Sequence, residues 1–176
     1  MSRIASLKEY AFMKALYDRD FPTPVPIDSN RHAICMSLID AFPMTQIKSM
    51  PHPDKVYKDM VDLVVKMAEH GLVHGDFNEF NLMIDDDEVL TMIDFPQMLS
   101  TSHENANYYF DRDVACIQRY FEKNYGMVFE GAPTLESDVE KVIDLDKEVK
   151  ASGFLKGELG ADALGKIDQV FDQVAD

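Results

Sequence analysis

Tryptophan is absent from the 176-residue chain, and cysteine occurs only twice. Cys35 and Cys116 have no paired spacing, which excludes a disulfide-framed scaffold and a cysteine-rich zinc module. Both stand in apolar contexts and are expected as reduced core thiols of an intracellular protein. No apolar run approaches the roughly 20 residues of a membrane span, and no charged segment precedes an apolar block at the start, so neither an anchor nor a leader is expected. Basic residues are scarce, 17 Lys and Arg against 32 Asp and Glu, for a net charge of -15. A surface of that sign repels phosphate backbones, so direct nucleic-acid binding by this segment is not expected. The imbalance persists to the end: from Glu130 onward twelve acids face five lysines. No basic patch with interleaved aromatics and no internal repeat is visible. With 46% hydrophobic residues the length suffices for one core, though it is short for a complete two-lobed enzyme.

The chain is organised around Val73 to Gln97, which holds HGDFNEFN (His74 to Asn81) and IDFPQ (Ile93 to Gln97). Between them Leu82, Met83 and Ile84, an acidic turn (Asp85 to Glu88) and Val89 to Ile93 read as strand, turn and strand. A hairpin brings its ends together, and so gathers Asp76, Asn81 and Asp94 around one small volume. Two carboxylates and a carboxamide are hard oxygen ligands. They suit Mg²⁺ held on a phosphate, with one carboxylate left to orient a hydroxyl or water.

In chain order, Ile4 to Asp20 reads as a helix on its apolar stripe of Ile4, Leu7, Ala11, Leu16 and Tyr17. Glu9 within it is most simply a solvated helix residue; the second reading is a buried partner for a lysine elsewhere. FPTPVPI (Phe21 to Ile27) has prolines at alternate positions and predicts a rigid extended connector. A turn at Asp28 to Asn30 and a strand from His32 to Ile39 follow, ended by Asp40 to Pro43. Pro53 and Asp54 open the clearest helix, with Val56, Met60, Leu63, Val64 and Met67 on one face and Gly71 as its stop. Burial of those five side chains is worth roughly 1.5–3 kcal/mol each before entropy. Ser102 or Asn105 is placed to cap a helix from Ala106 to Lys123. Asp113 in it is either an ordinary helix acid or a brace for backbone N–H groups of the His74 loop. Leu135 to Val149 reads as a charged surface helix or strand, and Leu164, Ile167, Phe171 and Val174 space as a short amphipathic helix.

A zinc site would need further His or Cys near His74, and a serine nucleophile would need a GxSxG elbow; the sequence has neither. Phosphoryl transfer needs less from a protein: a carboxylate to orient the attacking hydroxyl and ligands for a cation that neutralises phosphate charge. Asp76, Asn81 five residues on, and Asp94 eighteen residues after Asp76 supply those parts.

HGDFNEFNL, IDFPQM and STSHENANYYFDRDV together resemble the RIO family of atypical protein kinases, and within it the Rio-two branch, over about Ser2 to Lys123 and more loosely through LDKEVKASGF. The resemblance implies an α+β, protein-kinase-like fold: a mostly helical C-terminal lobe with a small catalytic β-hairpin and an incomplete N-terminal lobe. Residues 1–40 would be the N-terminal-lobe remnant, 41–125 the C-terminal lobe and 126–176 an acidic extension. It implies Mg-dependent serine/threonine kinase or ATPase chemistry, with ATP and Mg²⁺ as cofactors. Asp76 would be the catalytic aspartate, and Asn81 and Asp94 the metal pair, Asp94 also serving as a transient acyl-phosphate site. Glu9 would sit on the helix that pairs with the ATP-binding lysine. Met36 would be the gatekeeper, with the backbone at Ser37 and Ile39 meeting adenine; His74 and Asp113 would support the loop. The resemblance further implies small (40S) ribosomal subunit maturation, a pre-40S particle as partner, and a cytoplasmic location, with or without passage through the nucleus. The family's winged helix and the strands carrying its phosphate loop and lysine have no counterpart in this sequence, so weak or no ATP turnover by this chain alone is expected. Two other readings stay open. One is a small-molecule phosphotransferase of the aminoglycoside or choline kinase type, which also uses an HGD-x₄-N loop; the other is a non-catalytic module on pre-ribosomal particles.

Overall fold

The computed structural model describes residues 3–30 and 32–151. Helix α1 (Arg3–Tyr17) leads through the proline-rich connector to a two-stranded antiparallel ribbon, β1 (Pro26–Ser29) and β2 (Ile34–Met36). Strand β3 (Phe42–Pro43) and one 3₁₀ turn (Met44–Gln46) precede α2 (Pro53–Glu69). Then follow β4 (Leu72–Val73), the hairpin β5 (Leu82–Ile84) and β6 (Leu90–Met92), β7 (Leu99–Ser100), α3 (Ala106–Tyr125) and α4 (Leu145–Ala151). This is the expected mixture of long helices and small sheets.

Helix α2 carries the structure. Pro53 occupies its first turn, where the missing N–H costs nothing, and Val56, Met60, Leu63, Val64, Met67 and Ala68 are buried. Gly71 (φ +81) turns the chain out of it; a Cβ there would stand 3.0 Å from the Ile143 carbonyl. Strand β4 follows at once and pairs with β7, Leu72 opposite Ser100 and Val73 opposite Leu99. The hairpin pairs in register, Leu82 with Met92 and Ile84 with Leu90, and β3 adds a third strand along β5. One apolar cluster runs from Leu7 on α1 through α2, the hairpin and α3 to Val149 on α4.

Several expectations need correction. Asp28 and Ser29 lie in β1, not in a turn, and the strand expected from His32 to Ile39 shrinks to Ile34–Met36. Phe42 and Pro43, read as a break, form an edge strand, where a proline's lack of an N–H is tolerated. Cys35 is exposed and Cys116 half-buried, because the short ribbon has no layer over Cys35 among the described residues. Asn105 precedes α3 but makes no side-chain cap; its backbone N–H donates to His103 Nδ1 at 3.1 Å. The stretch from Leu135 stays irregular until Leu145, and α4 buries Leu145 and Val149 in the core instead of lying on the surface. The helix expected around Leu164 to Val174 lies outside the described residues.

Candidate active site

Strand β4 delivers His74, Gly75 and Asp76 to the start of an irregular loop whose shape is fixed from outside. The Gly75 N–H donates to Asp113 Oδ2 at 2.8 Å and the Phe77 N–H to Asp113 Oδ1 at 2.9 Å. Asp113, in the middle of α3, is 1% exposed, so both of its oxygens are committed to this loop. Burial pushes its pKa up to about 6 against the pull of those two N–H groups. Arg112 beside it donates to the Gly75 carbonyl and stacks on Tyr109 at 4.7 Å. Gly75 (φ +79) cannot be replaced without collision, since a Cβ would meet the Gln97 carbonyl at 2.9 Å.

His74 is 1% exposed, edge-on to Phe77 at 5.6 Å and tilted against Phe95 at 5.8 Å. Neither ring nitrogen has a hydrogen bond in this packing. Desolvation brings its pKa down to about 4, against the opposing pull of the Asp76 charge. At neutral pH it is therefore an uncharged packing group and not a proton carrier.

The hairpin closes at its open end through the Ile93 N–H donating to the Asn81 carbonyl at 3.0 Å. That bond sets Asp94 beside Asn81 and Asp76. Asn81 Nδ2 donates to Asp76 Oδ2 at 2.8 Å and to the Asp76 carbonyl at 2.9 Å, which leaves its Oδ1 as a ligand oxygen. Asn78 Nδ2 donates to the other Asp76 oxygen at 2.9 Å. Asp94 has φ +69, a left-handed conformation costly for a residue with a Cβ. Burial, then the Asp76 charge, raises its pKa. A buried carboxylate whose ionisation a neighbouring carboxylate opposes, with a carboxamide oxygen beside it, is what a divalent cation would relieve.

Glu9 completes the group from α1. It is 8% exposed, not solvated, and its pKa is pushed up to about 7 by burial first and then by Asp94, against a backbone hydrogen bond from Phe95. Its Oε2 is buried without a hydrogen-bond partner.

A RIO domain model matches residues 1–144. The chain belongs to the RIO family. Among its relatives is a serine/threonine-protein kinase rio2 of Dictyostelium discoideum, 54% identical over 156 residues, covering 89% of this chain and 30% of the relative. Another is the rio2 kinase of Schizosaccharomyces pombe, 50% identical over 159 residues, covering 89% of this chain and 46% of the relative. Among solved structures, the Rio2 kinase-ADP/Mg²⁺-phosphoaspartate complex of Chaetomium thermophilum superposes with a TM-score of 0.83 at 42% identity, covering 98% of this chain and 53% of that one. The chain thus spans about half or less of the length of the relatives it matches.

The residues named from the RIO resemblance fall into two places. Glu9, His74, Asp76, Asn81, Asp94 and Asp113 form one contiguous group. Met36, Ser37 and Ile39 lie on the β1–β2 side. Met36 is exposed, and the Ser37 N–H is already used, donating to the Val25 carbonyl at 3.0 Å. A ligand edge could therefore meet Ser37 only through its carbonyl. The Ile39 backbone makes no backbone hydrogen bond among the described residues. Sequence reasoning missed Asn78 and Arg112. Asn78 stands two residues after Asp76, a spacing at which an amide can reach back. Arg112 carries no signal beyond its place next to Asp113.

Among the described residues no three His, Cys, Asp or Glu cluster as a metal cage. A set of one or two carboxylates and an amide oxygen fits Mg²⁺, which keeps waters and phosphate oxygens as its remaining ligands.

Proposed function

We propose that this chain supplies the metal-binding and hydroxyl-orienting face of a Mg-dependent serine/threonine kinase or ATPase site. The observation that carries the reading is the convergence of Asp76, Asn81 and Asp94 on a loop braced by Asp113, with Glu9 beside Asp94. Asp76, its two oxygens each held by an amide, is oriented to accept the proton of an attacking hydroxyl. Asn81 Oδ1 and Asp94 would hold Mg²⁺, which would neutralise phosphate charge when bound. Asp94 is the carboxylate we assign to transient phosphorylation. An O–P bond forms to its oxygen as the bond to the ADP leaving oxygen breaks, and no proton moves. That a relative was solved with ADP, Mg²⁺ and phosphoaspartate supports the assignment.

The test is nucleotide binding by the 176-residue chain with and without Mg²⁺. Mg-dependent ADP binding is expected, lost in Asp94→Ala, with weak turnover. Binding indifferent to Mg²⁺, or unchanged by that substitution, would remove the proposal. The names of the relatives favour a protein hydroxyl as acceptor over a small alcohol. Action on the small (40S) ribosomal subunit precursor rests on family resemblance alone. It predicts co-sedimentation of the tagged chain with pre-40S particles, unaffected by Asp76→Ala.

A further inference from the structure

Folding sets two cations of α3 along one groove. Arg119 and Lys123 stand one turn apart on the exposed side of α3, and neither forms an ion pair among the described residues. Lysines 14, 55, 58, 141, 147 and 150 are all paired with acids. The two free cations line a groove of about 340 Å³ whose other walls are Thr45 and Ile47 on one side and Glu79 and Phe80 on another. Tyr120 forms its floor, tied to the opposite wall through its hydroxyl, which donates to the Met44 carbonyl at 3.3 Å. Phe80 is 70% exposed.

Three features define what would fit. Glu79 and Phe80 lie between Asp76 and Asn81, so whatever sits in the groove is held against the loop that carries the hydroxyl-orienting carboxylate. Residues four apart on a helix are about 6 Å apart along its axis. Alternate residues of an extended chain face the same way at about 6.6 Å. Alternate side chains of an extended peptide can therefore meet Arg119 and Lys123 together. Glu79 is the one acid in the lining, so the two cations leave the groove a local balance of +1, and acids farther away are screened beyond about 8 Å at physiological salt.

We propose that this groove binds an extended acidic segment of the polypeptide that carries the phosphoryl-accepting hydroxyl, with alternate Asp or Glu side chains on Arg119 and Lys123 and an apolar neighbour against Phe80. The inference rests on the protein-kinase reading above and names the substrate class for it.

The experiment is fluorescence anisotropy with the complete chain and short labelled peptides. One has a single serine and glutamates at alternate positions, and a second has glutamines in their place. The glutamate peptide is expected to bind about tenfold more tightly, the sum of two solvent-exposed charge contacts. Combined Arg119→Glu and Lys123→Glu should abolish that preference. Lys55→Glu with Lys58→Glu, the same charge change away from the groove, should keep most of it, and thermal melts show whether each variant is folded. No nucleotide is needed, so failure of Mg-dependent nucleotide binding would strike the kinase reading and leave this result standing. Equal binding of the two peptides overturns the proposal, as does a preference that survives in the Arg119/Lys123 variant. So does single-stranded RNA that binds through Arg119 and Lys123 where the glutamate peptide does not.

Discussion

Burial and the Asp94 charge raise the cost of ionising Glu9, as burial and the Asp76 charge do for Asp94, and this makes the site legible to titration. A Glu9 carboxyl that ionises at about 7 in the fold and near 4.5 in the unfolded chain keeps its proton in the fold between those values. Its contribution to stability is intact below about pH 4.5, falls as pH rises, and is fully lost above about pH 7. Glu9→Gln should therefore stabilise relative to the parent by an amount that grows across this window, reaching on the order of 1–3 kcal/mol. Urea denaturation of both proteins at several pH values checks it; a difference independent of pH would refute the assignment. Mg²⁺ competes with the proton that burial and Asp76 favour on Asp94, so its affinity should fall as pH is lowered, as calorimetric titration would show. Asp113→Asn sets an NH₂ against one of two buried backbone N–H groups and should cost about 2–4 kcal/mol in chemical denaturation. Asp76, Asn81 and Asp94 were legible in the sequence because their meeting is local, set by one hairpin. The burial of Glu9 was not, because the groups that cover it arrive from far along the chain; on its own helix it is one more acid.

The least expected element is α4. The residues before it cap the end of α2: Val142 and Ile143 N–H groups donate to the Glu69 carbonyl at 2.7 and 3.2 Å, and the Leu145 N–H to the His70 carbonyl at 3.0 Å. Its own turns lie against α1. Asp146, 5% exposed, pairs with Lys150 at 3.2 Å and faces the buried Lys8, next in sequence to Glu9. Arg19 Nη2 bonds Glu148 at 2.6 Å. Desolvation brings the Lys8 pKa down to about 8, and the Asp146 charge works against that fall. Asp146→Asn should destabilise the fold by removing the charge that faces the buried Lys8 and pairs with Lys150. It should also speed amide exchange in α1 more than in α2. Equal protection of both helices in the variant would show that α4 does not hold α1. The acidic content of the segment from Leu135 pointed to solvent, yet two of its apolar residues and one of its acids face inward. Composition averages over faces, and a seven-residue helix has too few positions for a period to emerge. The hairpin and α2 were readable for the opposite reason, since their periods run long or are bounded by an unmistakable turn.

On the scale of the whole molecule, charge is the dominant unspent term. A net charge of -15 on one body is self-repulsive, and the solvent-exposed pairs Lys14–Asp18, Lys55–Asp59 and Lys58–Asp62 offset little of it. The melting temperature should rise as salt goes from about 0.01 to 1 M and the screening length shortens from about 30 to 3 Å. A fall would mean that the ion pairs outweigh the repulsion. The kinase-like plan was visible from two motifs. The path of the chain after α3 was not, because nothing local fixes a segment that returns across the molecule. Asp113 holds residues 38 and 36 positions before it, so the loop has no acceptor for Gly75 and Phe77 until α3 has emerged and docked. At cellular synthesis rates that lag is about 2–8 s. A nascent chain halted before residue 113 should therefore already possess the β5–β6 hairpin and yet lack a shaped loop. The part of this molecule that would do chemistry is among the last to acquire its form.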